Sequence, residues 1–277
     1  MRRSNSNAGG HETTAAVWAA VSGLTIGEAW LRRDEPKPPA VVERIQAALT
    51  QMERGAPFAY ATGRIGFREL DLMIDSRALI PRPETEGLVD LVLAHAQGGV
   101  VADVGTGSGC IALALATEGR FERVIAVERS RDATALAREN VALVQPRTPV
   151  EIREGDLLAP LAGSRFRAIV ANPPYLTEDE YLALEPSVKA FEPREALVSG
   201  ADGLDATRAL FAGAAALLEP GGVLALEIDE RRGDAVRALA HRYGWARIEV
   251  HDDLFGRPRY ALATPGHGAG LTHPREA

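Results

Sequence analysis

The apolar run ending at Ala171 passes directly into Asn172, Pro173, Pro174 and Tyr175, a grouping of hydrogen-bond acceptors, rigid kinks and an aromatic ring. Proline has no N–H and a fixed φ, so Pro173 and Pro174 hold Asn172 and the neighbouring carbonyls still while leaving those carbonyls free to accept. The Asn172 side-chain oxygen and the Pro173 carbonyl can take the two protons of a planar NH2 group on sp2 carbon, with the Tyr175 ring stacked on its plane. Such a nitrogen is a poor nucleophile because its lone pair is delocalised. Two acceptors set tetrahedrally draw it toward sp3 and aim the lone pair at an electrophilic methyl, so orientation and electrostatics carry catalysis without a strong base. By themselves the four residues also make an ordinary turn after a strand.

A second group gives them a partner. In Asp103-Val-Gly-Thr-Gly-Ser-Gly109, the glycines at 105, 107 and 109 let backbone pass close to a ligand, and the helix that follows offers free N–H donors. Tight strand-to-helix packing uses glycine in the same way for structural reasons alone. A dinucleotide-binding turn would place its third glycine at 110, where this chain has Cys110, so the turn suits a ligand without a pyrophosphate. Glu128 closes the next strand, where a carboxylate can accept both hydroxyls of a ribose. Asp156 and Leu157 follow the third strand. Asp156 can accept from an adenine amino group with Leu157 over the ring, or it can cap the following helix.

These residues need a sheet to carry them. Strand-like runs at 100–105, 123–128, 150–156 and 166–172 alternate with helical stretches, which implies crossover units and a mostly parallel sheet. A closing strand pair joined by a short turn at 256–258 makes the last strand antiparallel to its neighbour. We divide the chain into a flexible start over 1–12, a small helical unit over 13–63, a hairpin linker over 64–82, an α/β domain over 83–264 and a flexible tail over 265–277. Trp18 and Trp30 are expected in the core of the helical unit, Cys110 as a small buried helix residue, His241 and His251 as surface or packing residues, and Asp252 and Asp253 as solvated loop acids.

Composition excludes several classes. The 277 residues are 46% hydrophobic, enough for a sizeable core. A formal charge of -7 gives no electrostatic footprint for a long phosphate backbone, so no direct nucleic acid partner is expected. One cysteine rules out an internal disulfide or a cysteine zinc cage, and the six histidines show no ligand spacing. Apolar stretches are too short to span a bilayer and no signal-type core follows the N-terminus, so a cytoplasmic protein and no membrane partner are expected. A monomer is expected.

Together the 103–109 turn, Glu128 and the Asn-Pro-Pro-Tyr motif resemble the class I S-adenosylmethionine-dependent methyltransferases of amino groups. The segments 55–63, 79–86 and 191–197 resemble the protein-(glutamine) methyltransferases that modify peptide chain release factors, and the likeness runs over residues 55–262. It implies an α/β fold: a Rossmann-like seven-stranded methyltransferase domain, joined by a β-hairpin to a small helical N-terminal domain that docks the substrate. It implies S-adenosyl-L-methionine as cofactor, S-adenosyl-L-homocysteine as product and no metal. Asp103, Gly105, Thr106, Gly107, Ser108, Gly109, Glu128, Asp156, Leu157 and Asn172 would surround that cofactor. Asn172, Pro173 and Tyr175 would be catalytic, and with Pro174, Arg82 and Pro83 would bind the glutamine amide in the Gly-Gly-Gln loop of a release factor. Pro83, Glu84 and Glu86 equally suit a first helical turn. The same acceptor pocket would serve an amino-methyltransferase of adenine or guanine, against which the acidic balance and the lack of a target-recognition region weigh. A cofactor-binding scaffold and a nicotinamide dehydrogenase complete the alternatives.

Overall fold

The computed structural model describes residues 6–266. Four helices come first: α1 (Ser6–Ser22), α2 (Ile26–Leu31), α3 (Pro39–Glu53) and α4 (Phe58–Thr62). α1 starts inside the segment expected to be flexible, while residues 1–5 and 267–277 of the two expected tails lie outside the described residues. Thr25 and Glu28 form a reciprocal capping box that starts α2, and proline opens α3. Val17, Trp18, Val21, Ala29, Ile45 and Ala48 are the core of this unit. Trp30 is not part of it: the residue is 55% exposed, and the Arg33 guanidinium lies 4.1 Å from its ring centroid. α2 is only six residues long, so its amphipathic face buries Ala29 and leaves Trp30 on the outer side.

The antiparallel hairpin of β1 (Arg64–Phe67) and β2 (Leu70–Met73) follows, then α5 (Pro83–His95). The remaining elements are β3 (Val100–Val104), α6 (Cys110–Glu118), β4 (Arg123–Glu128), α7 (Arg131–Val144), β5 (Val150–Glu154), β6 (Phe166–Ala171), α8 (Glu178–Leu182), α9 (Pro186–Phe191), α10 (Asp205–Gly213), β7 (Leu218–Glu227), α11 (Gly233–Arg242), β8 (Trp245–Asp252) and β9 (Pro258–Pro265). The strands form one seven-stranded sheet in the order β5-β4-β3-β6-β7-β9-β8. β3 to β7 run parallel, while β9 is antiparallel to both β7 and β8. The central strands read as continuous apolar runs because both faces are covered. Leu88, Val89 and Val92 of α5 pack with Ile111 and Leu113 of α6 in one core, and Phe211, Val236 and Trp245 belong to another. Among the described residues, no helix is long and apolar enough to cross a membrane.

Strand order reverses between β3 and β6, which makes their carboxyl ends a topological switch point where open α/β sheets bind ligands. α5 reaches this rim because Gly87 lets it lie against β9. A Cβ built on Gly87 would stand 2.3 Å from Tyr260 Oη, and that hydroxyl donates to the Glu84 carbonyl at 2.6 Å. At the turn before β9, Asp253 proves to be structural instead of solvated: its carboxylate accepts the N–H groups of Phe255 and Arg257 at 2.9 and 3.1 Å. These bonds offset the orphaned donors of a tight turn.

Candidate active site

At the carboxyl ends of β3 to β6 lies a cavity of about 390 Å³, lined by Thr106, Gly107, Glu128, Asp156, Leu157 and Asn172 among others. The glycine turn forms one wall. Gly105, Gly107 and Gly109 have φ of 75, 55 and 87°, a left-handed region that side chains disfavour. A Cβ on Gly105 would meet nothing within 4 Å, so backbone conformation demands glycine there and the side facing the ligand space stays open. The Val127 carbonyl accepts both the Gly105 and Thr106 N–H groups at 2.9 and 3.0 Å.

Asp103 supports this turn from below. It is fully buried; its Oδ2 accepts from Thr106 Oγ1 at 2.5 Å and from the Ala112 N–H at 3.1 Å. Burial pushes its pKa up to about 7. It does not line the cavity, so its place is behind the residues expected to hold a cofactor. Asn140, which the sequence reading did not single out, supports the turn from the side. Fully buried on α7, it donates to the Ser108 and Met73 carbonyls at 2.9 Å each and accepts the Met73 N–H at 2.7 Å. One side chain thus ties the hairpin to the glycine turn. Ser108 lines the cavity, and its buried hydroxyl lies beside the Cys110 thiol.

Glu128 stands beside this turn, at the end of the adjacent strand β4. Its Oε2 accepts the Gly107 N–H at 3.0 Å and its Oε1 the Ser130 N–H at 2.9 Å. A carboxylate has about four lone-pair sites, so each oxygen keeps capacity for a hydroxyl. Asp156 is exposed at the rim. It caps nothing: the short helical turn after it starts with Leu158 as cap and has no side-chain cap bond. The next residue, Leu157, has φ 45°, a costly conformation for a residue with a side chain that tends to occur at ligand sites.

Asn172 and Pro174 line the cavity. The Asn172 Nδ2 donates to Thr85 Oγ1 at 3.1 Å, and Thr85 Oγ1 donates to Glu227 Oε2 at 2.7 Å. Asn172 Oδ1 makes no hydrogen bond among the described residues. Burial raises the Glu227 pKa to about 7, against the lowering by the Thr85 hydrogen bond and the Arg259 charge. Pro173 is buried, and no backbone N–H reaches its carbonyl among the described residues. The segment after the motif is held by N–H groups of Tyr175 and Leu176 donating to the Leu197 carbonyl at 3.2 and 2.8 Å.

Tyr175 occupies a different wall from the one expected. It lines an adjoining cavity of about 230 Å³ with Arg82, Glu84, Glu227 and Arg259, and burial pushes its hydroxyl up to about 12. Arg82 borders both cavities, while Pro83 opens α5 and borders neither. Sequence reading missed Thr85, Glu227 and Glu192 along with Asn140. Thr85 and Glu192 lie inside the segments 79–86 and 191–197; nothing in the residue pattern says that Thr85 meets β7 or that Glu192 meets Arg82. Among the described residues, no group of three or more His, Cys, Asp or Glu could hold a metal ion.

Comparison with known proteins gives the chain's relatives. The model of the methyltransferase small domain family matches residues 84–186. The chain is 44% identical over 244 residues to a Xylella fastidiosa protein named release factor glutamine methyltransferase, covering 86% of this chain and 88% of the other. A Moorella thermoacetica protein of the same name is 42% identical over 250 residues, covering 89% and 87%. Among solved structures, a methyltransferase from Pyrococcus furiosus shares the fold with a TM-score of 0.54 at 19% identity, over 79% of this chain and 95% of that one. The T. thermophilus 16S rRNA N2 G1207 methyltransferase in complex with AdoMet and guanosine gives 0.53 at 19% identity, over 73% and 50%.

Proposed function

This chain belongs to the release factor glutamine methyltransferases, and from that premise we propose that its rim cavity joins S-adenosylmethionine to a glutamine side chain at Asn172. The reaction transfers a methyl group to the side-chain amide nitrogen of a release factor glutamine. We assign that glutamine to the Gly-Gly-Gln loop.

The residues present fit the methyl donor. The open side of Gly105 and the spare lone pairs of Glu128 would give a backbone cradle and a ribose acceptor, with Gly107 and Ser108 also on the cavity lining. Asp156 and Leu157 would flank the adenine, and Asp103 would act only through the turn. When bound, S-adenosylmethionine supplies an electrophilic methyl on a sulfonium.

The glutamine carboxamide would enter past Arg82 and Tyr175 through the smaller cavity. Asn172 Oδ1 and the Pro173 carbonyl would take its two N–H protons and turn the nitrogen lone pair toward the larger cavity. Those acceptors would stabilise the positive charge that develops on the amide nitrogen, and the N–H proton it sheds to restore the neutral amide would pass to solvent water. The observation that carries this reading is the Asn172 amide itself, with its nitrogen tied to Thr85 and its oxygen without a hydrogen bond among the described residues, on a residue that lines the same cavity as Gly107 and Glu128.

On this reading the helical unit docks the release factor, the enzyme acts as a monomer in the cytoplasm where that substrate works, and neither nucleic acid nor a metal is needed. Tritium transfer from labelled S-adenosylmethionine tests it. Label is expected in a release factor incubated with the enzyme and absent from tRNA, rRNA and DNA under the same conditions. Label appearing in nucleic acid alone would overturn the assignment in favour of base methylation.

A further inference from the structure

We propose that Thr85 and Glu227 are positioning residues for methyl transfer, which fix the Asn172 carboxamide with its nitrogen inward and its oxygen toward the substrate. The inference rests on reading Asn172 as the acceptor of the glutamine N–H. A carboxamide has an oxygen and a nitrogen of nearly equal size, and a half-turn exchanges acceptor for donor. Packing distinguishes the two orientations poorly. A flipped Asn172 would meet the incoming NH2 with an NH2 of its own.

Hydrogen bonding resolves the choice. An ionised carboxylate only accepts, so the Thr85 hydroxyl gives its one proton to Glu227 at 2.7 Å. The Thr85 oxygen is then left to accept, and it does so from Asn172 Nδ2 at 3.1 Å. Thr85 and Glu227 are each 2% exposed, so their partners come chiefly from the protein. The relay joins α5, β6 and β7, and its first member is seated by the close approach of Gly87 to Tyr260.

Protonation of Glu227 reverses the relay. The acid can donate to Thr85, whose proton is then free for Asn172 Oδ1, and the flipped amide gains a partner. The groups facing Glu227 are Thr85 and Glu84 on α5, Asn172 and Tyr175 at the end of β6, and Arg259 and Tyr260 on β9; Arg82 shares the small cavity. Burial and the Glu84 charge raise the carboxyl, while Thr85, Arg259 and Asn172 lower it, leaving it at about 7. The ionised, correctly aimed form therefore grows as pH rises through that value, and kcat/KM should rise with it.

The test uses the full-length enzyme, labelled S-adenosylmethionine and an intact release factor. Thr85→Val should lower kcat by about tenfold or more with S-adenosylhomocysteine affinity within about twofold of the starting enzyme, and Thr85→Ser should restore most of the rate. Glu227→Gln should flatten the fall in kcat/KM on the acid side of neutrality, which separates Glu227 from Asp103. Thr85→Val at full kcat, or an acid limb that survives in Glu227→Gln, overturns the relay. If Thr85→Val does not fold, the pH profile of Glu227→Gln decides alone. The wider reading fails separately: it is lost if Asn172→Ala retains full turnover or if the unmodified enzyme leaves release factors unlabelled, and it stands if Asn172→Ala is inactive while the relay variants are not.

Discussion

Arg82 and Glu192, 110 positions apart in the chain, meet at the cavity wall, where Arg82 Nη2 donates to both carboxylate oxygens at 2.6 and 2.8 Å. The Glu192 side chain is 2% exposed and that of Arg82 33%. A carboxylate so buried is costly without its cation, and the pair joins the entry of α5 to the segment after α9. Nearby, Tyr60 of α4 donates to the Ala78 carbonyl at 2.6 Å and steadies the chain leading to Arg82. The helical unit therefore packs on the approach to α5, and that approach and the 191–197 segment border the site.

Arg82→Ala should destabilise the enzyme by about 1–3 kcal/mol, below the range for a fully buried pair because the guanidinium is partly solvated. Urea unfolding measures it. An unchanged midpoint would mean that Glu192 is relieved by solvent entering the cavity.

Asn172→Ala should reduce turnover by about 10² or more while S-adenosylhomocysteine binding stays within a few-fold. The lost contact is made by the nitrogen acceptor and grows with charge in the transition state. Single-turnover rates and calorimetric titration separate the two effects. A matching loss in cofactor affinity would place Asn172 in cofactor binding instead.

Asp103 and Glu227 have pKa values raised from 3.8 and 4.5 to about 7 in the fold. Between the unfolded and folded values the native state holds more protons than the unfolded chain, so their contribution to stability is complete below pH 4 or so and is lost as pH rises through about 7. The lowered carboxyls of Asp75 and Glu139, paired with Arg77, act in the opposite direction at lower pH. Urea midpoints should fall between about pH 5 and about pH 8, and Asp103→Asn should weaken that trend. A midpoint that climbs over this interval contradicts the burial argument.

Gly87→Ala should be destabilising despite alanine's better helix propensity, because the new Cβ would lie 2.3 Å from Tyr260 Oη and α5 must shift to accept it. Overpacking of this kind costs about 1–3 kcal/mol. The shift also carries Thr85 away from Glu227, so kcat should drop in the variant at temperatures where it is fully folded. A thermal melt and kcat measured together check both consequences.

Much of this molecule could be read from its residues in order. Strand and helix alternation from 83 onward follows from the period of the apolar residues, since a buried parallel strand is apolar throughout and its crossover helix is not. That the glycine turn, Glu128 and Asn172 would line one cavity was legible because the carboxyl ends of neighbouring parallel strands share one rim. Trp30 misled because a tryptophan next to apolar residues reads as core, and a six-residue helix is too short for its buried face to be told from sequence. Asp253 read as solvent-facing for a similar reason: a turn acid that binds backbone N–H groups looks the same in sequence as one that binds water.

Sequence alone determined the backbone chemistry of the rim: where glycine must yield a left-handed φ, where proline must remove a donor, and where a lone carboxylate or carboxamide closes a strand. Those properties belong to single residues and their immediate neighbours. Only the tertiary structure decided which way the Asn172 amide faces, that Asp103 lies beneath the turn, that Tyr175 opens on the smaller cavity and that Arg82 finds Glu192. Each depends on partners contributed by elements far apart in the chain, and the direction of a hydrogen bond is fixed only when both of its ends are in place.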